Sequence, residues 1–246
     1  MIRSILNPPN IFNSNLYNKK MKKTFIYSLL FIGTIANTFA QKDAEAKVIL
    51  NAMSAKYHAY NIVKSTFTFA IEDIQAKTTT SQNGVLVVQA KTNKYHLTLY
   101  SSELDNKSAV AQEIISDGKS QWTYTHKDKE VQLSTVDNTG ESFNPAQMFT
   151  LYEKGYKYIY TDDIKINGKV YQVIDLTPED DKKEFFKVRL TIDKVKKQLY
   201  SALIFDKSGM RFTYTITGFT PNVAVPETTF SFDKKANPGV EVVDLR

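Results

Sequence analysis

A mainly β fold of the α+β class is predicted, with one large antiparallel sheet and amphipathic helices over one of its faces. Three observations predict it. Apolar residues alternate with period two through most of the chain beyond residue 61. Turn pairs punctuate those runs at Asn83-Gly84, Asp117-Gly118, Asn167-Gly168 and Ser208-Gly209. The one long stretch of helical periodicity comes before the first strand. Together they imply about eleven short strands.

Residues Met21 to Ala40 read as an export signal. Lys22 and Lys23 give a positive start, an apolar run follows from Phe25 to Ile35, and Thr38-Phe39-Ala40 offers a small-residue cleavage site before Gln41. The run is too short to span a bilayer comfortably. Residues 1–20 precede a second plausible start at Met21. The expectation is a leader over 1–40 and a single domain over 41–246, soluble in the periplasm after cleavage near Ala40.

The leader also accounts for the basic character of the chain. It holds Arg3, Lys19, Lys20, Lys22 and Lys23 and no acid, so the net charge of +6 falls to +1 without those five. A nucleic-acid partner loses its main support. Cysteine is absent, which excludes a lipid-modified N-terminal Cys, thiolate metal sites and thiol catalysis.

From Asp43 to Tyr60 the apolar residues Ala46, Ile49, Leu50, Met53, Tyr57 and Tyr60 fall at steps of three and four, along one side of a helix. Asp43 and Glu45 sit near its start, where the helix dipole favours negative charge. The strand pattern then begins, with Phe67, Phe69 and Ile71 on one face and Thr66, Thr68 and Ala70 on the other. Tyr95, Leu97 and Leu99 repeat it; Val131 and Leu133, then the runs 170–176, 186–192, 199–205 and 212–216 continue it. Asn144-Pro145 reads as an N-cap and first helical position, and Gly155 ends that segment. Between them Met148, Phe149, Leu151 and Tyr152 form a short apolar stretch.

Chemistry-bearing motifs are scarce. His58, His96 and His126 are widely spaced, and no HExxH, G-x-S-x-G or glycine-rich phosphate loop is present. Glu179-Asp180-Asp181 runs straight into Lys182-Lys183, as a solvated hairpin tip does, and Asp162-Asp163 reads the same way. The expectation is a protein that is not an enzyme and holds no metal or cofactor. What does stand out is fifteen Phe and fourteen Tyr against one Trp. These either fill a packed face or line a hollow one, and patterning alone leaves both open.

Two segments carry a resemblance. Ser116-Asp117-Gly118-Lys119-Ser120-Gln121-Trp122-Thr123-Tyr124 is a strand, turn and strand ending in W-x-Y. The C-terminus runs Phe230-Ser231-Phe232 and then Pro238-Gly239-Val240-Glu241-Val242-Val243-Asp244. With the leading helix and export without Cys, these resemble the LolA family from about Asp43 to Arg246. The resemblance implies an incomplete antiparallel barrel whose concave apolar face is capped by helices. It also implies a chaperone that accepts acylated lipoproteins from an inner-membrane ATP-driven exporter and delivers them to an outer-membrane receptor or bilayer, acting as a monomer. The alternative on the same half-barrel is a periplasmic lipid- or glycolipid-binding protein or envelope-stress sensor.

On that resemblance, face parity selects Phe67, Phe69, Tyr95, Leu97, Leu99 and Trp122 as cavity lining, with Met148, Leu151 and Tyr152 beside them. Ile49, Leu50 and Met53 would form the helical lid. The family commonly carries an Arg-Pro turn that latches the lid. Here the matching stretch is Gln89 to Tyr95, without Pro, and Lys91 is the candidate substitute or else a solvated turn lysine.

Overall fold

The structure is a computed structural model that describes residues 42–102, 109–136, 149–153 and 155–246, with the backbone alone at 151. Among these, helix α1 covers 42–58. Twelve strands follow: β1 Ile62–Asp73, β2 Thr78–Gln89, β3 Lys94–Tyr100, β4 Val110–Asp117, β5 Ser120–Thr125, β6 Glu130–Thr135, β7 Tyr156–Ile166, β8 Lys169–Pro178, β9 Phe185–Asp193, β10 Gln198–Asp206, β11 Met210–Pro221 and β12 Glu241–Asp244. They form one open sheet in the order β12-β6-β5-β4-β3-β2-β1-β11-β10-β9-β8-β7. Two meanders, β1–β6 and β7–β11, are thus joined where β1 pairs with β11. The expected fold class holds, with one strand more than expected, and β12 joins β6 in parallel. Of helices the described residues show α1 and the short 3-10 turns Leu151–Glu153 and Glu227–Phe230.

The sheet's two edges are blunted. β7 is interrupted by a bulge between Tyr160 and Asp162 and carries exposed charges, while β12 is only four residues long. Cross-strand register places Tyr160, Ile174, Leu190, Ala202, Tyr214 and Phe69 in one row across β7-β8-β9-β10-β11-β1. Tyr158, Leu176, Val188, Ile204, Phe212 and Ile71 form the next row. These rows share the face onto which Ala46, Ile49, Leu50, Met53 and Tyr57 of α1 pack, giving one continuous core. The period-3.6 stripe read from the sequence is therefore the buried side of α1.

One turn expectation fails. Asn83-Gly84 is not a hairpin; it lies in the middle of β2, with Gly84 opposite Phe67. A Cβ at Gly84 would sit 2.3 Å from Phe67 Cζ, so the glycine exists to admit the ring. The true β1–β2 turn has no glycine. Asp73 Oδ1 accepts the N–H groups of Gln75 and Ala76 at 2.9 Å each, and Lys77 takes the left-handed conformation with φ 55°. Gly84→Ala is expected to cost about 1–3 kcal/mol through this overlap. Equilibrium urea unfolding reads it as a lower midpoint at an unchanged slope.

A second difference concerns β9. The 186–192 alternation predicts Phe186 inside, but a register irregularity beside Asp206 turns Phe185 inward and leaves Phe186 52 % exposed. A bulge inserts one residue and switches faces, which alternation cannot foresee.

Candidate functional site

The concave face changes character along its length. Under α1 it is closed: Phe67, Tyr95, Leu97, Ile192 and Ile216 are buried. Phe69, Leu99, Ile114, Phe212 and Tyr214 pack against that core yet remain only partly covered. Aromatic rings dominate this part. Phe69 stacks on Tyr214 at 4.6 Å and on Phe212 at 6.2 Å, and Phe67 meets Tyr214 at 5.8 Å. Desolvation in this apolar setting pushes the Tyr214 phenol well above its ordinary range. Phe69 and Ile71 also line a pocket of about 80 Å³ with Thr80, Ser81, Gln82 and Ser102.

Most of the predicted residues converge here. Ile49, Leu50, Met53, Phe67, Phe69, Tyr95, Leu97, Leu99 and Tyr152 all belong to the core or border it. Met148 lies outside the described residues, and of Leu151 only the backbone in its 3-10 turn is described. Trp122 is placed elsewhere. It pairs with Ile115, which pairs with His96, whereas the neighbouring Leu97 pairs with Ile114. Trp122 therefore faces the opposite side of the sheet and packs with Tyr124, Val131 and Val240. Parity within one strand gives two faces but not which is concave; only the pairing decides. Phe212 and Tyr214, which pack beside Phe69, were not singled out from the sequence. Their alternation was visible, but the β1–β11 contact that sets them beside Phe69 spans most of the chain.

The helix is tied down by side chains. Ser54 Oγ donates to Glu153 Oε1 at 2.7 Å, and His58 Nε2 lies 2.7 Å from the same oxygen. Ser54 and His58, four apart, project from one side of α1 and grip a single carboxylate on the 3-10 turn. Beneath them Tyr57 stacks on Phe149 at 4.8 Å, and burial with the Glu153 charge raises the Tyr57 pKa. Lys56 Nζ donates to the Lys196 carbonyl at 2.6 Å, fixing the helix's last turn to the β9–β10 hairpin. Lys91 plays no part in these ties. It is exposed in a left-handed turn, φ 64°, and makes no hydrogen bond or ion pair with α1 among the described residues.

On the other face the C-terminal segment is clasped to the sheet. Glu113 Oε2 lies 2.6 Å from His96 Nε2, and Glu113 Oε1 lies 2.7 Å from His126 Nε2. The Nδ1 of His96 is 3.1 Å from the Thr229 carbonyl in the C-terminal 3-10 turn. Glu113 thus bridges the two imidazoles and His96 reaches on to the C-terminal turn, a hydrogen-bonded clasp. The His96 hydrogen bond, reinforced by His126, lowers the Glu113 pKa below its ordinary 4.5. Because the folded pKa is the lower one, this stabilisation is full above about pH 4.5 and is lost as pH falls below it. Glu113→Gln is expected to flatten that acid limb of the melting temperature against pH. An acid limb identical to that of the unsubstituted protein would contradict the assignment.

An open half-barrel with a partly covered aromatic interior, closed by a helix that side chains hold in place, defines a class of binding scaffold. The chain belongs to the LolA family: the family described as "Outer membrane lipoprotein carrier protein LolA" matches residues 102–233. No curated protein matches. Among solved structures, an uncharacterized conserved protein from Thermus thermophilus is similar at 10 % identity and a TM-score of 0.52, over 81 % of this chain and 99 % of that one. A LolA superfamily protein from Nitrosomonas europaea is 14 % identical at a TM-score of 0.43, over 77 % and 98 %. LprF from Mycobacterium bovis is 12 % identical at 0.44, over 74 % and 96 %. Among the described residues no helix is long and apolar enough to cross a membrane.

Proposed function

We propose that this protein is a periplasmic lipoprotein chaperone, with residues 1–40 removed on export and residues 41–246 forming the carrier. It makes and breaks no bond. It shields the acyl chains of lipoproteins on the aromatic part of its concave face and moves them from the inner-membrane exporter toward an outer-membrane receptor or bilayer. The observation that carries this reading is the partly buried aromatic set Phe69, Phe212 and Tyr214, packed against the core that α1 also covers.

The energetics suit such a surface. Burying acyl methylenes is worth about 0.8 kcal/mol each, so a long chain leaves a bilayer at a cost on the order of 10 kcal/mol. An apolar host must replace most of that contact while binding less favourably than the destination membrane. The pocket at Phe69, about 80 Å³, is far below the roughly 300–1,000 Å³ of ligand cavities. Acceptance therefore requires the helix to swing, and α1 is held by bonds near the surface that can break and re-form. Phe67, Tyr95, Leu97, Leu99 and Tyr152 would line the widened space, and Ile49, Leu50 and Met53 would move with the lid.

The test is displacement of a fluorescent fatty acid from the protein by a triacylated lipopeptide. Displacement by the lipopeptide, and none by the same peptide lacking its acyl chains, is expected. Failure of both to displace, with no uptake of the fatty acid itself, would contradict the reading. Uptake of free lipid but never of lipopeptide would favour the lipid-binding or sensor alternative.

A further inference from the structure

The β9–β10 hairpin presents an apolar residue where an ordinary turn would not. Val195 is 88 % exposed at its tip, between Lys194 and Lys196. The tip is well ordered by its own bonds. Asp193 Oδ1 accepts the N–H groups of Val195 at 3.0 Å and Lys196 at 2.8 Å, and the Lys197 N–H reaches the Asp193 carbonyl at 2.8 Å. The Lys194 N–H bonds the Val170 carbonyl at 3.1 Å, which sets this tip directly beside the β7–β8 hairpin. Val195 is thus held outward into solvent.

A single exposed valine is ordinary. Its setting is not. The fold brings lysines distant in sequence to the same rim: Lys165 and Lys169 from β7–β8, Lys194, Lys196 and Lys197 from β9–β10, and Lys56 from the end of α1. The carboxylates nearby are Asp162, Asp163, Asp193 and, from the start of α1, Glu45, four against the six lysines. Asp163 is paired with Lys194 at 2.6 Å, and Asp193 is engaged in the turn. Positive charge is left in excess. Beside the tip a polar pocket of about 300 Å³ runs from the two hairpins to β11, lined by Lys169, Lys196, Tyr171, Tyr200 and Gln198 together with Asp193 and Phe219. Tyr171 and Tyr200 pack at 4.5 Å. Lysines in excess over carboxylates, with tyrosines beside an apolar tip, are the composition of a membrane-interface contact.

The geometry points to this rim as a docking surface for an anionic phospholipid bilayer. Val195 enters the headgroup layer, and Lys165, Lys169 and Lys196 face lipid phosphates. The inference does not depend on the carrier reading, since a lipid-binding protein of other purpose would use the same contact.

The experiment is co-sedimentation of the processed protein, its N-terminus established by mass spectrometry, with vesicles of equimolar phosphatidylglycerol and phosphatidylcholine, against phosphatidylcholine alone. Binding to the anionic vesicles only, weakened by added salt, is expected. The triple variant Lys165→Gln, Lys169→Gln, Lys196→Gln leaves the hairpin's own hydrogen bonds in place and should melt normally while losing about fivefold in affinity per lysine. Val195→Asp is expected to lose about tenfold more than Val195→Ala, the order of burying one valine. Equal binding to both vesicle types, no binding to either, or binding unchanged in the triple variant would each overturn the proposal. Fatty-acid uptake by the same variants should be unaltered, so failure here is distinguishable from failure of the carrier reading.

Discussion

Phe69→Glu is expected to abolish acyl-chain binding while leaving a folded protein. Phe69 is only partly covered, so a carboxylate there can keep water and the sheet need not collapse. Yet it stands at the middle of the aromatic set, stacked on Tyr214 and flanked by Phe212. A ligand laid over this surface would have to desolvate the charge. Losing the phenyl contact alone is worth about 1.5–3 kcal/mol, and burying an unpaired carboxylate adds more. The combined effect is a drop in affinity of at least about a hundredfold. Phe69→Leu, which keeps an apolar surface, should lose far less. Fluorescent fatty-acid titration of the two variants checks this, with circular dichroism to verify the fold. Equal affinities for both would place the binding surface elsewhere.

The second large effect is at Glu153. Its carboxylate is the shared partner of Ser54 and His58, so Glu153→Ala removes both ties between α1 and the 3-10 turn at once. The site is part-exposed, which limits the loss to about 1–2 kcal/mol. That is roughly a tenfold rise in the population of the opened helix. Amide hydrogen exchange should show faster exchange through residues 42–58, while β8–β10, whose bonds are within the sheet, keep their protection. Acyl-chain uptake should become faster, because the lid opens more often. Unchanged protection across α1 would mean that packing of Leu50, Met53 and Tyr57 alone holds the helix.

Much of this was legible in the sequence, for definite physical reasons. The α1 stripe could be read because 3.6-residue periodicity reports directly on which side meets a core, and the structure buries Ala46, Ile49, Leu50, Met53 and Tyr57. Strand existence was equally readable from period two. What was not legible depended on partners far away in the chain. Gly84 looks like a turn until Phe67 is placed across from it. Trp122 looks like lining until its pairing with Ile115 assigns it to the opposite face. The ties between α1 and the 3-10 turn are invisible because Ser54, His58 and Glu153 are ordinary surface residues whose meeting spans nearly a hundred positions. The Lys56–Lys196 contact is hidden in the same way, and of the lysine rim the sequence shows only the short run Lys194-Val195-Lys196-Lys197, not the lysines of α1 and β7–β8 that the fold brings beside it.

The central claim is that a lipoprotein's acyl chains are the cargo. Native mass spectrometry of the protein, purified without detergent from the periplasm of cells overproducing a native lipoprotein, tests it most directly. The account predicts a one-to-one complex with the acylated lipoprotein, lost when that lipoprotein's acylated Cys is replaced. An empty protein that also fails to take up added lipoprotein would contradict it.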